Sequence, residues 1–155
     1  MLRVLAALAV AAALLAGGQS PASAADEAGT VCRFPDDRYA EISGMTYSLL
    51  HRDVIWVHND SGGGPYIYAV DSTTCRTLAR VTIDGIEARD IEAIATGRDR
   101  KGRPVLWVGD LGDNRDSWPE VFLHRIREPR VLADRTVTPR TYRVTYRDRP
   151  HDAET

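Results

Sequence analysis

Carboxylates recur in this sequence at spacings that could hold a hard cation. Asp90-Ile91-Glu92 sets two acids two residues apart, and Asp152-Ala153-Glu154 repeats the pair. Side chains on a strand alternate between faces, so each pair shares one face at about 6.5–7 Å. Glu41 occupies the corresponding place earlier in the chain, with Ser43 where the second acid would stand. The densest run of oxygen donors is Asp110-Leu111-Gly112-Asp113-Asn114-Arg115-Asp116. Ca²⁺ takes about six to eight oxygen ligands and suits such clusters. The candidate metal set is therefore Glu41, Asp90, Glu92, Asp110, Asp113, Asp152 and Glu154. A structural role competes with it: acids pair with Arg89, accept backbone N–H groups at strand entries, or close Asx turns. The run from Asp110 is no EF-hand, because Val121 stands where that loop needs its bidentate Glu.

Other chemistries find less support. Asn59-Asp60-Ser61-Gly62-Gly63-Gly64 resembles the serine stretch of chymotrypsin-like proteases, but too little chain precedes it to carry that fold's His and Asp. A glycine-rich hairpin turn is the better account of this stretch. Asn59-Asp60-Ser61 also fits an N-glycosylation acceptor, relevant only in a eukaryotic secretory path. His51, His58, His124 and His151 show no metal-ligand spacing, and no glycine-rich phosphate loop opens a helix. Scattered arginines and a net charge of −2 give no nucleic-acid surface. No catalytic residue emerges.

The elements that must position these groups are short strands bounded by turn residues. Runs at 41–46, 54–57, 66–70 and 77–83 are separated by His51-Arg52-Asp53, the Asn59–Gly64 stretch and Asp71-Ser72-Thr73-Thr74. The same series then recurs. Asp90–Ile94 matches Glu41–Met45 at an offset of 49, Val105–Val108 matches Val54–Val57 at 51, and Phe122–Ile126 matches Tyr66–Val70 at 56. Thr141–Tyr146 supplies the fourth strand, and Asp152 matches Asp90 at 62. The offset grows only in loops, as a structural repeat requires. A four-stranded unit of this length reads as a propeller blade. The expected fold is all-β, a partial β-propeller of two four-stranded antiparallel blades plus the start of a third. A small eight-stranded sandwich is the competing architecture. Trp56 and Trp107 hold equivalent places, which suits packing between blades.

Length and composition bound the rest. Met1-Leu2-Arg3, the apolar run Val4–Ala16 and Ala22-Ser23-Ala24 form a secretory signal peptide over 1–24. Its 13 apolar residues span about 20 Å, short of a roughly 30 Å hydrocarbon core. Removing 24 residues from 155 leaves 131, with 19 basic and 22 acidic groups. The division is then an N-terminal segment (25–40), blade one (41–89), blade two (90–151) and the first residues of blade three (152–155), so that the chain stops mid-fold. The expectation is a secreted, bacterial protein with no membrane attachment after cleavage. Export allows a Cys32–Cys75 disulfide, with two buried thiols as the alternative.

The stretches Ile42-Ser43-Gly44-Met45, Trp56-Val57-His58-Asn59-Asp60-Ser61-Gly62, Ala88–Ala95 and Trp107–Asn114, continuing through Ile126-Arg127-Glu128-Pro129, resemble a family of secreted actinobacterial β-propeller proteins. The resemblance covers roughly 32–155, and these proteins look distantly like phytase-like and esterase-like propellers. It implies calcium and phosphoester chemistry, but no catalytic residue carries over position by position. The expected role is a ligand-binding or scaffold module with an unknown extracellular ligand, stabilised by Ca²⁺. The alternative is a calcium-dependent hydrolase of phytase-like or lactonase-like type.

Overall fold

A computed structural model describes residues 29–35, 37–60 and 62–154. The expected leader, Ser61 and Thr155 lie outside the described residues. The described chain is all-β apart from one 3-10 turn, Asp37–Tyr39. Its strands are β1 (Ile42–Tyr47), β2 (Val54–Asn59), β3 (Tyr66–Asp71), β4 (Thr77–Ile83), β5 (Ile91–Arg98), β6 (Pro104–Asp110), β7 (Val121–Arg127), β8 (Arg135–Val137) and β9 (Arg140–Val144). They form two open sheets, β1-β2-β3-β4-β8 and β5-β6-β7-β9. All eight strands read from turn punctuation are present, each within a few residues of its expected bounds.

Each sheet is an antiparallel meander of consecutive short strands bounded by turn residues. At the β5–β6 turn, Asp99 accepts from the backbone N–H of Lys101 and Arg103, while Gly102 takes the positive φ (72°) that the turn demands. β8 is the exception. It pairs in parallel with β4 through Val81↔Arg135 and Ile83↔Val137, from within the long β7–β9 connection. Residues 152–154 form no strand, so a third unit is not seen among the described residues.

The two sheets pack face to face. Val54, Trp56, Ile67, Ala69, Ala79, Val81 and Ile83 of the first meet Ile91, Ile94, Leu106, Val108 and Ile126 of the second. Trp56 is fully buried, and its indole N–H donates to Glu128 at 3.0 Å. Glu128 also accepts from Ser48 and from the Leu49 N–H, so one buried carboxylate from the β7 exit ties down the β1–β2 turn. The far face of the first sheet carries a second cluster, Val57, Tyr68 and Val70, covered by Phe34 and Tyr39. The Cys32–Cys75 disulfide is formed, with Cα atoms 5.6 Å apart, and fixes that covering segment. No described helix is long and apolar enough to cross a membrane.

The repeat is visible in backbone detail. The β1–β2 register slips between Ile42 and Gly44, and the β5–β6 register slips between Ile91 and Ala93. These are equivalent positions at the offset of 49. Asp60 N–H donates to Glu41 O at 2.8 Å, and Leu111 N–H donates to Asp90 O at 3.0 Å, a second matched pair.

Candidate functional site

The bulges decide where the chemistry sits. A bulge leaves one residue out of the ladder and re-aims its side chain. In β1 that residue is Ser43 and in β5 it is Glu92. The first strands of the two sheets lie side by side, so these residues meet: Ser43 Oγ donates to Glu92 Oε2 at 3.0 Å, with Thr46 and Thr96 3.3 Å apart further along. Buried beside them, His58 fits only because Gly44 has no side chain; a Cβ there would overlap the imidazole.

Three carboxylates converge at this seam. One ligand oxygen each from Asp60, Asp90 and Glu92 lies within 4.8 Å of the others. Asp90 (6% exposed) and Glu92 (2%) are buried, and Asp60 is the more open member. Asp90 Oδ2 accepts from Asn114 Nδ2 at 2.9 Å, whereas the buried Oδ1 has no hydrogen-bond donor among the described residues. Burial raises the Asp90 carboxyl, opposed by the Asn114 bond and reinforced by the charge of Asp60. Glu92 is pushed up to about 8, first by burial and then by the neighbouring Glu154 carboxyl, with the Ser43 donation opposing.

The other expected ligands divide between this cluster and structural work. Glu154 reaches Glu92 from the C-terminal segment. Glu41 is exposed, and it is its backbone carbonyl that holds Asp60. Asp110 is buried and accepts the Asp90 N–H at 2.7 Å and the Arg89 N–H at 3.3 Å, with the Arg89 Nε 3.9 Å away. It therefore anchors the entry into β5. Asp113 closes the inserted loop by accepting from Trp118 N–H and Ser117 Oγ; burial pushes it up, but these donors hold it below its ordinary value. Asp152 accepts the Asp113 N–H at 2.6 Å and donates its own N–H to Asp116, pinning the C-terminal segment to that loop. Asp60 is the member that strand spacing does not reveal, because it falls in the glycine-rich turn after β2. The hairpin itself could have revealed it: the residue after β2 must lie beside the residue before β1.

His58 and His124 are buried, and the Nε2 of each has no hydrogen-bond partner among the described residues. Burial lowers both below the ordinary 6.5. His58 Nδ1 donates to the Asn59 carbonyl, and His124 Nδ1 bonds Thr141 Oγ1, each at 2.9 Å. Next to Asp90 lies an open cavity of about 430 Å³ lined by Arg89, Asp113, Asn114, Arg115 and Trp118. The Arg89 guanidinium is sandwiched there between Trp118 (4.2 Å) and Phe122 (4.7 Å).

The donor set fits a hard divalent cation. It is all oxygen, and two oxygens on one Ca²⁺ stand at most about 5 Å apart. The unpartnered Asp90 Oδ1 is the kind of buried acceptor that a cation would satisfy. Compared with protein-family profiles, curated proteins and solved structures, the chain finds no match.

Proposed function

We propose that this chain is an exported, propeller-type module that binds Ca²⁺ at the seam between its two sheets. Asp60, Asp90 and Glu92 supply the core ligands and Glu154 lies close enough to join them. The observation that carries this is the convergence of two buried carboxylates and a third, more open one within 4.8 Å, with Asp90 Oδ1 lacking a donor among the described residues. Unpaired buried carboxylates are costly, and a divalent cation removes that cost. The matched bulges, matched tryptophans and matched backbone bonds support consecutive blades of one architecture. The disulfide supports an oxidising destination. The role is that of a binding or scaffold module whose loops meet an extracellular ligand.

A second reading has one observation in its favour. The 430 Å³ cavity opens beside Asp90, so a bound cation would face a space large enough for a small substrate. There a metal would polarise a phosphoryl or carbonyl oxygen and activate water. The test for both is thermal. Ca²⁺ should raise the melting temperature and a chelator should lower it; no shift at millimolar Ca²⁺ removes both readings. Hydrolysis of a generic phosphoester or lactone, lost in a folded Glu92→Gln variant, selects the second.

A further inference from the structure

The β6–β7 connection is longer than the repeat requires. The two units match at an offset of 51 through their second strands and at 56 in their third, so this connection carries five residues more than the β2–β3 turn. The first sheet turns the same corner without them. Extra loop length in a compact unit is a common place for binding residues. Here the added residues are ordered and wall the cavity beside Asp90. Asp113 accepts from the Trp118 N–H and from Ser117 Oγ, and Arg149 pairs with Asp116 at 3.1 Å. The Trp118 ring is set against the Arg89 guanidinium, which covers one of its faces at 4.2 Å, while 41% of the residue stays exposed. The cavity of about 430 Å³ is lined by residues 89–90 and by this loop, and no strand residue contributes to it. It therefore lies at the loop end of the second sheet and not on a sheet face.

The lining narrows the occupant. Trp118 is its single apolar side chain, and Asp90, Asp113, Asn114, Arg115 and Ser117 supply polar groups. A wholly apolar ligand would leave those groups unpaired. A cationic ligand gains little from the ring, because Arg89 already lies over it. A free anion would meet the carboxylates of Asp90 and Asp113. Two arginines balance two aspartates, so a neutral ligand fits, with an apolar face for Trp118 and hydroxyls along its edge. Asp90 belongs to both the cavity and the seam cluster, and its buried Oδ1 has no donor among the described residues. One oxygen each from Asp60, Asp90, Glu92 and Glu154 would leave Ca²⁺ about two to four of its six to eight positions, which a pair of adjacent hydroxyls can fill.

We propose that this cavity binds a saccharide, with one sugar ring lying on Trp118 and two adjacent hydroxyls turned toward the seam. Arg115, exposed and without an ion pair among the described residues, hydrogen-bonds a further hydroxyl. The proposal rests on the Ca²⁺ reading above and names the ligand of that same site.

The test applies the labelled, whole mature protein to an array of immobilised oligosaccharides, in millimolar Ca²⁺ and in chelator, beside a calorimetric Ca²⁺ titration. The wild type should be retained by a subset of the glycans in Ca²⁺ and released by chelator. Trp118→Ala should weaken retention about tenfold or more while binding Ca²⁺ as the wild type does, and Trp118→Phe should recover part of the loss. Arg115→Ala, at an exposed position, should weaken retention several-fold and serves if Trp118→Ala melts. Arg52→Ala, at an exposed turn of the first sheet, should change nothing. Ca²⁺ binding with no glycan retained overturns the saccharide and leaves the cation site standing, whereas absence of Ca²⁺ binding overturns both. Retention that survives chelator, or that ignores the Trp118 and Arg115 substitutions, also overturns the proposal.

Discussion

Glu92→Gln is the substitution that most sharply exposes the physics of the seam. In the metal-free protein Glu92 titrates near 8 instead of its ordinary 4.5, because burial and the Glu154 carboxyl favour its neutral form. The folded state then holds a proton that the unfolded state releases between these values, so stability falls as pH rises through the window. His58 and His124 act oppositely: their lowered values cost stability as pH falls below 6.5. The unfolded histidines still lose protons just above 6.5, so the Glu92 contribution from pH 6.5 to 8 is read as the difference between wild type and Glu92→Gln, in which the histidines cancel. One proton is worth about 1.4 kcal/mol per pH unit, so the bound over that range is about 2 kcal/mol. Solvent reaches the exposed Glu154 side of the pair and screens it, leaving about 1 kcal/mol, or a few degrees in melting temperature. Gln keeps the carbonyl that accepts from Ser43 and removes the titration. In chelator, urea melts from pH 6.5 to 8 should show the wild type losing stability relative to Glu92→Gln by about 1 kcal/mol. Added Ca²⁺ should abolish that relative loss. Equal slopes in wild type and variant would refute the assignment of a raised carboxyl at Glu92.

Other predictions test the frame that holds the seam. Glu128→Gln weakens the bonds to Ser48, Leu49 and Trp56 and should cost about 1–3 kcal/mol, read by denaturant melts and by a shift in Trp emission. Gly44→Ala should be among the most damaging small substitutions, about 2 kcal/mol or more, because the new methyl meets the fully buried His58 ring; a neutral effect would show that the ring can move aside. Reducing Cys32–Cys75, which are 43 residues apart, should cost about 2–4 kcal/mol and speed hydrogen exchange around Val57 and Tyr68 as the covering segment loosens.

Much of the frame is legible in the sequence, and the physical reason is local. Val54–Val57 and Val105–Val108 are short apolar runs closed by turn residues, so strand and hairpin follow from neighbours alone. The offset of 49 between Glu41 and Asp90 likewise marks a repeat that the structure repeats in its bulges. What alternation cannot show is the bulge, which places Glu92 out of step with strict pleating and against Ser43. Asp60 is hidden for a related reason: it lies in a turn by composition, and only the β1–β2 register brings it beside Glu41. Arg135–Val137 is hidden because its partner β4 is more than fifty residues earlier, beyond any local signal. Asp110 and Asp113 show the reverse problem. Their oxygen density suggests a cation, but their acceptors are taken by backbone N–H groups that composition does not display.

Calorimetric titration of the mature, chelator-stripped protein with Ca²⁺ at pH 7.5 tests the central claim most directly. One saturable site is predicted, accompanied by proton release as Glu92 ionises, and lost in both Asp90→Asn and Asp60→Asn while their folds persist. Absence of binding at millimolar Ca²⁺, or binding untouched by either substitution, would contradict a cation site at the seam.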